Sequence, residues 1–246
     1  MISVVIIANN EEQNIGRCLD SVKGIASEII VLDSGSSDGT QSIVEAAGGK
    51  WIPQEWLGYG AQKNKANTFA SNPYILSLDA DEALSPELRA SILAILPTLD
   101  GVYQFNRLTN YAGAWIRHGG WYPDTKIRLF RSEEASWDNA HVHERLVIHP
   151  GVPIHTLSGD LLHYSYYSSA EHRERTEQYA RLQAEALYAA GVHPTFWHFG
   201  IKPAFTFFKR YILQSGWRDG PAGLSIAIIS AWGTRRRYEL LQELRA

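Results

Sequence analysis

The feature that most constrains the fold is an alternation of apolar runs with amphipathic segments over the first 80 residues. The apolar runs, which have the length and β-branched character of strands, occupy residues 2–8, 28–33, 50–54 and 74–78. The segments between them have the 3.6-residue periodicity of helices. Strands joined in this way by helices form a mostly parallel sheet with right-handed crossovers and helices on both faces. The sequence therefore predicts an α/β fold.

Composition limits the chain to one globular domain with an appendage. It has 246 residues, of which 45% are hydrophobic and 20% are charged. The single cysteine, Cys18, excludes an internal disulfide framework and a cysteine-rich zinc site, which suits a reducing cytoplasm. No apolar run reaches the roughly 18 residues of a membrane span, and Met1 leads directly into a strand without a signal segment. A cytoplasmic location is therefore expected.

Charge divides the chain into an acidic body and a basic tail. Residues 196–246 carry eight Lys and Arg against three Asp and Glu, whereas residues 1–195 carry 15 against 23. An acidic body argues against nucleic-acid binding. The tail interleaves its cations with aromatic side chains on what we expect to be short helices, a pattern typical of segments that lie on anionic membranes. A dimer interface or a lid over the site is the alternative role for the tail.

Two carboxylates, Asp79 and Asp81, end the fourth apolar run, with Ala80 between them. Residues two apart in an extended segment point to the same face, so both carboxylates are expected to share one space at the carboxyl end of the sheet. A hard divalent cation, Mg²⁺ or Mn²⁺, would relieve their repulsion and bring phosphate oxygens with it. On its own the pattern favours a solvated turn before a helix that starts near Pro86. The neighbouring loops reverse that preference.

Polar residues also follow the first two strands. Residues 9–12 follow the first strand, and Asp33 opens a Gly/Ser-rich turn after the second. Polar loops that meet at one end of a sheet predict a nucleotide pocket with a metal. We assign Asp33 to that pocket and Asp38 to a turn or helix cap. No Gly-x-Gly-x-x-Gly or Gly-x-x-x-x-Gly-Lys loop is present, which excludes the common nicotinamide-binding and P-loop patterns.

Several motifs carry a resemblance to a known family. The first three are Ile2–Glu12 with Asn14-Ile15 and Arg17-Cys18-Leu19, Ile30–Thr40, and Leu76–Glu82. In this order and spacing they resemble family 2 glycosyltransferases of the GT-A fold, a Rossmann-like, mostly parallel mixed sheet flanked by helices. Five later segments are similar to the branch that contains bacterial lipopolysaccharide-core β-1,4-glucosyltransferases: Gly58–Asn64, Gly119–Asp124, Arg128–Arg131, His141–Glu144 and Tyr211–Gly223.

The resemblance implies an inverting, metal-dependent glycosyltransferase. Its catalytic domain would span residues 1–195, followed by a C-terminal helical extension over residues 196–246. It would move a hexose, expected to be glucose, from a nucleotide diphosphate sugar, expected to carry UDP. The acceptor would be a hydroxyl of lipopolysaccharide core or another envelope glycan, presented as a glycolipid or oligosaccharide. From its aromatic and basic residues, we expect the extension to touch the cytoplasmic face of the inner membrane, and the oligomeric state is left open.

The resemblance also implies roles for individual residues. Those predicted to bind the donor are Ala8, Asn10, Glu11, Asp33, Lys63, Asp79, Ala80 and Asp81. Those predicted to hold the divalent metal, Mg²⁺ or Mn²⁺, are Asp79, Asp81 and His163. Lys63 would bind the diphosphate, and its alternative role is that of a solvated helix lysine. The alternative for His163 is a core histidine with satisfied hydrogen bonds.

Direct displacement with inversion needs one carboxylate base near the acceptor hydroxyl and no protein nucleophile. Glu144, in the segment His141-Val142-His143-Glu144, is our first candidate for that base, with Asp124 and then Asp138 behind it. Glu144 could instead pair with an arginine in a purely structural role. The two histidines are spaced like metal ligands, but no partner set for zinc is visible.

Two other functions compete with glycosyl transfer. A sugar-phosphate nucleotidyltransferase would need a Gly-rich loop after the first strand, where this chain has Ala8-Asn-Asn-Glu11. A non-catalytic glycan- or nucleotide-binding protein needs no intact Asp-x-Asp pair, yet Asp79 and Asp81 are both present.

Overall fold

Four parallel strands form one side of the main sheet in the computed structural model, which describes residues 1–138 and 144–245. They are β1 (Ile2–Ala8), β2 (Ala26–Asp33), β3 (Lys50–Pro53) and β4 (Tyr74–Asp79), in the order β3-β2-β1-β4. Every residue of β1 is buried, as its continuous β-branched run predicts for a central parallel strand.

Helices cover both faces of these strands, as predicted. They are α1 (Ile15–Ser21), α2 (Thr40–Ala46), α3 (Tyr59–Asn67) and α4 (Pro86–Ile95). Alternate residues of β1 enter two separate hydrophobic clusters, because successive side chains of a strand point to opposite faces. Val4 and Ile6 pack with α1, whereas Val5 and Ile7 pack in the cluster that contains Ala66 of α3.

The other strands of the main sheet are joined mainly by antiparallel pairing. Its strands are β5 (Glu82–Leu84), β6 (Val102–Tyr111), β7 (Ala114–Ile116), β8 (Thr125–Arg131) and β11 (Ile154–Tyr166). The order continues from β4 through β8, β6 and β11 to β5, and β7 pairs with β6. A separate hairpin pairs β9 (Ala135–Trp137) with β10 (Leu146–Ile148). The predicted fold class, a mixed α/β sheet flanked by helices, is confirmed.

The C-terminal part of the chain is helical. Its helices are α5 (Ser169–Ala189), α6 (Phe196–Phe199), α7 (Ile201–Phe208) and α8 (Gly220–Glu243), with a π turn at Lys209–Leu213 and a 3₁₀ turn at Gly216–Asp219 between the last two. The expectation of short helices is wrong for α8, which has 24 residues. Among the described residues, no helix is long and apolar enough to cross a membrane.

The chain forms two compact units. One contains Met1–Arg107 and Asp124–His163, and the other contains Leu108–Pro123 and Tyr164–Ala246. The predicted helical extension is present, but these units do not divide at residue 195. Helix α5 belongs with the tail because Ala180 and Ala184 pack against Leu241 of α8. The catalytic role of residues 1–195 stays a prediction.

Candidate functional site

The carboxyl ends of three parallel strands lie at one level in the first unit. Ala8 of β1 is in register with Asp33 of β2, and Ile7 is in register with Asp79 of β4. The loops that follow these strands therefore meet at one end of the sheet, where open α/β sheets bind ligands. This register brings together the predicted residues of the first, second and fourth loops.

Hydrogen bonds join the first loop to the second. The Asn10 amide donates to Ser36 Oγ at 2.7 Å, and Asn10 Oδ1 accepts from the Ser37 amide at 2.9 Å. The Glu11 amide donates to Thr40 Oγ1 at 2.9 Å. Asn10 has a φ of 55°, a left-handed conformation that Asn tolerates better than most residues. The two loops therefore form one joined wall.

Two aspartates organise the turn after β2. Asp33 is 3% exposed, and its Oδ2 accepts from the amides of Gly35 and Ser36, both at 2.8 Å. Asp38 accepts from the Thr40 amide at 3.0 Å, where α2 begins, as its assignment to a turn or cap predicts. Asp33 thus also stabilises the turn, and its role at the nucleotide stays a prediction.

The prediction that Asp79 and Asp81 lie in one extended segment is wrong. β4 ends at Asp79, and Ala80 and Asp81 form a turn before β5, so the two carboxylates do not belong to one extended segment. Asp79 Oδ1 lies 2.9 Å from Lys63 Nζ, and its Oδ2 lies 2.6 Å from Arg128 Nη2. Two protein cations therefore neutralise the charge of Asp79, whereas the sequence led us to expect a metal ion in this role.

Arg128 links Asp79 to a second buried carboxylate, Glu82. Arg128 Nη2 lies 2.8 Å from Glu82 Oε1, and the Asp79 amide donates to Glu82 Oε2 at 3.0 Å. Burial alone raises the pKa of Asp79, but the charges of Arg128 and Lys63 outweigh it and hold the pKa well below its usual range. Burial lowers the pKa of Arg128, and Asp79 and Glu82 more than reverse this effect. Asp79 and Arg128 therefore keep their charges at neutral pH.

Lys63 is buried on α3 at 1% exposure, which excludes the alternative of a solvated helix lysine. Its Nζ lies 2.8 Å from Glu144 Oε1 and 4.6 Å from the centroid of the Trp137 ring. The ammonium therefore joins Asp79 to Glu144 and also rests on an aromatic face, a favourable place for a desolvated cation.

The two leading candidates for the base differ in their surroundings. Asp124 pairs with Arg107 at 2.9 Å and with Lys126 at 2.8 Å. Burial raises the pKa of Asp124, but the Lys126 hydrogen bond and the nearby Arg107 charge lower it below its usual range. A carboxylate held by two cations is a weak proton acceptor. Glu144 has Lys63 as its ion-pair partner, in place of the arginine that the structural alternative required.

Asp138 and two histidines also lie near Glu144 in the sequence. Asp138, the third candidate, accepts a hydrogen bond from the Arg145 amide at 3.0 Å. His141 and His143 lie outside the described residues.

Asp81 and His163 are brought together by the pairing of β5 with β11, which places His163 opposite Glu82. Asp81 Oδ2 lies 3.2 Å from His163 Nε2. Within residues 1–138 and 144–245, no three His, Cys, Asp or Glu side chains are grouped to hold a metal. Asp79, Asp81 and His163 are not grouped in this way here, their predicted role at a metal stays a prediction, and Asp81 and His163 are the pair in contact. The pair fits a hard cation that takes its other ligands from phosphate and water.

Sequence reasoning missed three residues of this network: Glu82, Arg128 and Trp137. Arg128 occupies a buried position beside Leu129 and Phe130 on β8. An arginine at such a position needs a buried carboxylate partner, and this was the available signal. The partner could not be identified from the sequence because it lies 46 residues away.

Comparison with known proteins gives consistent matches. A family model described as Glycosyl transferase family 2 matches residues 3–147. A protein of Rickettsia bellii named as an uncharacterized glycosyltransferase is 33% identical over 99% of this chain and 86% of its own length. The lipopolysaccharide core biosynthesis glycosyltransferase LpsC of Rhizobium meliloti is 29% identical over 94% of this chain and 87% of its own length.

One solved structure with a partial match is glucosyl-3-phosphoglycerate synthase from Mycobacterium tuberculosis, in complex with Mn²⁺, UDP and glucosyl-3-phosphoglycerate. It is 28% identical, with a TM-score of 0.37 over 45% of this chain and 44% of its own.

Proposed function

Because the chain belongs to glycosyltransferase family 2, we propose that it transfers a hexose from a nucleotide diphosphate sugar to a hydroxyl of a cell-envelope glycan. The observation that carries this proposal is the gathering of Asp33, Asp79, Asp81 and His163 at the carboxyl end of one sheet in the first unit. The name of the LpsC relative supports lipopolysaccharide core as the acceptor class. Glucose carried by UDP is the donor that the sequence resemblance favours.

The wall formed by the first two loops would bind the nucleoside. Ala8, Asn10, Glu11 and Asp33 would line the base and ribose, as the resemblance implies. Hydrogen bonds between the loops hold this wall in place before any ligand binds. A site that is already ordered loses less conformational entropy on binding.

Asp81 and His163 would hold a divalent cation, Mg²⁺ or Mn²⁺, beside the diphosphate. When bound, that cation would offset the negative charge on the departing diphosphate. Asp79, with both oxygens facing protein cations, would lie by the ribose and would not ligate the metal directly. Ala80, 3% exposed, packs in the hydrophobic cluster that contains Val4 and Ile6.

Glu144 would accept the proton of the acceptor hydroxyl. The acceptor oxygen forms a bond to the anomeric carbon as the bond from that carbon to the diphosphate breaks. The electron pair leaves with the diphosphate, and the proton moves to a Glu144 oxygen. Lys63 Nζ, 2.8 Å from Glu144 Oε1, would orient the carboxylate before the reaction. The predicted contact of Lys63 with the diphosphate stays a prediction, and the observed contacts favour this positioning role.

A thermal-shift panel of nucleotide sugars, with Mn²⁺ or with EDTA, tests the proposal. A donor at about 100 times its Kd stabilises the native state by about 2.7 kcal/mol, which raises Tm measurably. We expect one donor to do so only with Mn²⁺, and we expect Asp81→Asn to remove the Mn²⁺-dependent part. Asp20→Asn is the matched control, because the Asp20 side chain is 70% exposed on α1. Equal stabilisation in Mn²⁺ and in EDTA would contradict the metal assignment.

The same panel bears on the competing functions. Stabilisation by a nucleotide sugar without any transfer to lipopolysaccharide acceptors would favour a non-catalytic binding protein. Membership of family 2 leaves the nucleotidyltransferase hypothesis without support.

A further inference from the structure

Helix α7 carries large apolar side chains on an exposed face in the second unit. Ile201, Phe205 and Phe208 are 50%, 57% and 46% exposed, and Ile212 in the following π turn is 46% exposed. Positions i, i+4 and i+7 lie on one side of a helix, so the first three form a continuous stripe. Pro203 of the same helix is buried. We call Ile201, Phe205, Phe208 and Ile212 the α7 surface.

Exposure of this kind is uncommon on an isolated soluble protein. Single exposed apolar side chains need no explanation, whereas a contiguous apolar patch marks an interaction site. The stripe continues an exposed pair on α6, since Phe196 is 70% exposed and Trp197 is 53% exposed. The donor site lies in the first unit, and neither α6 nor α7 contributes a residue to it.

The charged side chains of the stretch that contains the α7 surface all have one sign. No Asp or Glu occurs from residue 186 to residue 218. The exposed cations of this stretch include Lys209, which follows Phe208 directly, and Arg218. Arg210 is already engaged, because its guanidinium donates to the Gly119 carbonyl at 2.9 Å. A partner for this surface therefore needs an apolar layer with negative charge at its border.

We propose that the α7 surface docks on an anionic lipid bilayer. Phe205 and Phe208 enter the boundary between headgroups and acyl chains, and Lys209 and Arg218 face anionic headgroups. A second copy of this chain is a poorer occupant, because a symmetric contact would place the cations around each patch against the same cations of the partner. The bilayer supplies both the apolar layer and the negative charge.

The test uses the full chain, because α8 packs against α5 and removing the tail would expose the Ala180, Ala184 and Leu241 cluster. The protein is sedimented with vesicles of equimolar phosphatidylglycerol and phosphatidylcholine, and with vesicles of phosphatidylcholine alone. No nucleotide or metal is added, so the outcome does not depend on the donor site. We expect strong binding to the mixed vesicles at low salt, weaker binding at high salt and weak binding to phosphatidylcholine alone.

The double variant Phe205→Ser/Phe208→Ser should lower the partition onto mixed vesicles by at least about tenfold, since two aromatic rings no longer enter the interface. The matched control is Tyr179→Ser/Leu182→Ser on α5. That pair has the same i, i+3 spacing and similar exposure, 50% and 56%, but lies outside the α7 surface. The control should bind like the unmodified chain. Thermal unfolding of both variants confirms that each remains folded.

A second variant tests the role of the positive charges separately from that of the aromatic rings. Lys209→Gln/Arg218→Gln should weaken binding to mixed vesicles by about fivefold for each charge at low salt, and should leave binding to phosphatidylcholine unchanged. Equal sedimentation of the unmodified chain and the phenylalanine variant would overturn the proposal. So would a lipid-free dimer that the phenylalanine variant converts to a monomer, because the surface would then join two copies of the chain.

Discussion

Glu144→Gln is expected to lower kcat by about 10²-fold or more while nucleotide-sugar binding stays near that of the unmodified chain. The amide keeps the shape of the side chain, and its oxygen can still accept from Lys63 Nζ, which lies 2.8 Å from Glu144 Oε1. What is lost is the ability to take a proton, and general-base help is usually worth about 10²- to 10⁴-fold. Steady-state kinetics with donor and acceptor varied separately measure the effect on kcat and on KM.

Asp124→Asn is the comparison for that experiment. Asp124 is held by Arg107 and Lys126, so this change should disturb local ion pairs more than proton transfer. If Glu144→Gln turned over normally and Asp124→Asn did not, the role of base would pass to Asp124.

Arg128→Met is expected to lower the free energy of unfolding by about 3–5 kcal/mol, the usual cost of removing one partner from a buried ion pair. Glu82, whose side chain is fully buried, would keep Arg107, 3.4 Å away, as its cationic partner among the described residues. Asp79 would keep Lys63 as its cationic partner among the described residues. Denaturant unfolding followed by circular dichroism measures the loss.

Arg131→Met is the matched control, because Arg131 lies at the exposed end of the same strand and its side chain is 47% exposed. This change should cost less than about 1 kcal/mol, since exposed ion pairs contribute little. A similar loss in both variants would show that the effect does not come from the buried network.

The loss of stability caused by Arg128→Met should depend on pH, because the pKa of Asp79 is lowered in the native state. A carboxylate with a lowered native pKa stabilises the fold above its unfolded pKa, and this contribution is lost as the pH falls through the native value. The variant lacks most of this contribution at neutral pH. The difference in stability between the two proteins should therefore narrow in acid.

The strands and helices of the first unit could be predicted because each is specified by local pattern. The β-branched run at residues 2–8 is the buried strand β1, and Ser85 and Ser168 cap α4 and α5 through their side chains. Such signals depend on residues within a few positions of one another, which a single sequence displays.

The geometry of the site could be predicted only in part. The sequence marked Asp79 and Asp81 but could not show that the strand ends at Asp79, since turns are decided by tertiary pairing as much as by local preference. Lys63 lies in a polar segment and reads as solvated, yet it is buried by carboxylates and a ring that lie far along the chain. Long-range ion pairs leave no periodic signal.

Electron paramagnetic resonance of bound Mn²⁺ tests the central claim most directly. With UDP present, we expect one Mn²⁺ per chain, with nitrogen hyperfine coupling from the His163 imidazole. His163→Ala should remove the nitrogen coupling, and Asp81→Asn should weaken Mn²⁺ binding sharply, because Asp81 and His163 are the two protein ligands of the proposed site. Mn²⁺ bound with UDP but without nitrogen coupling, or with coupling that survives in His163→Ala, would contradict the account.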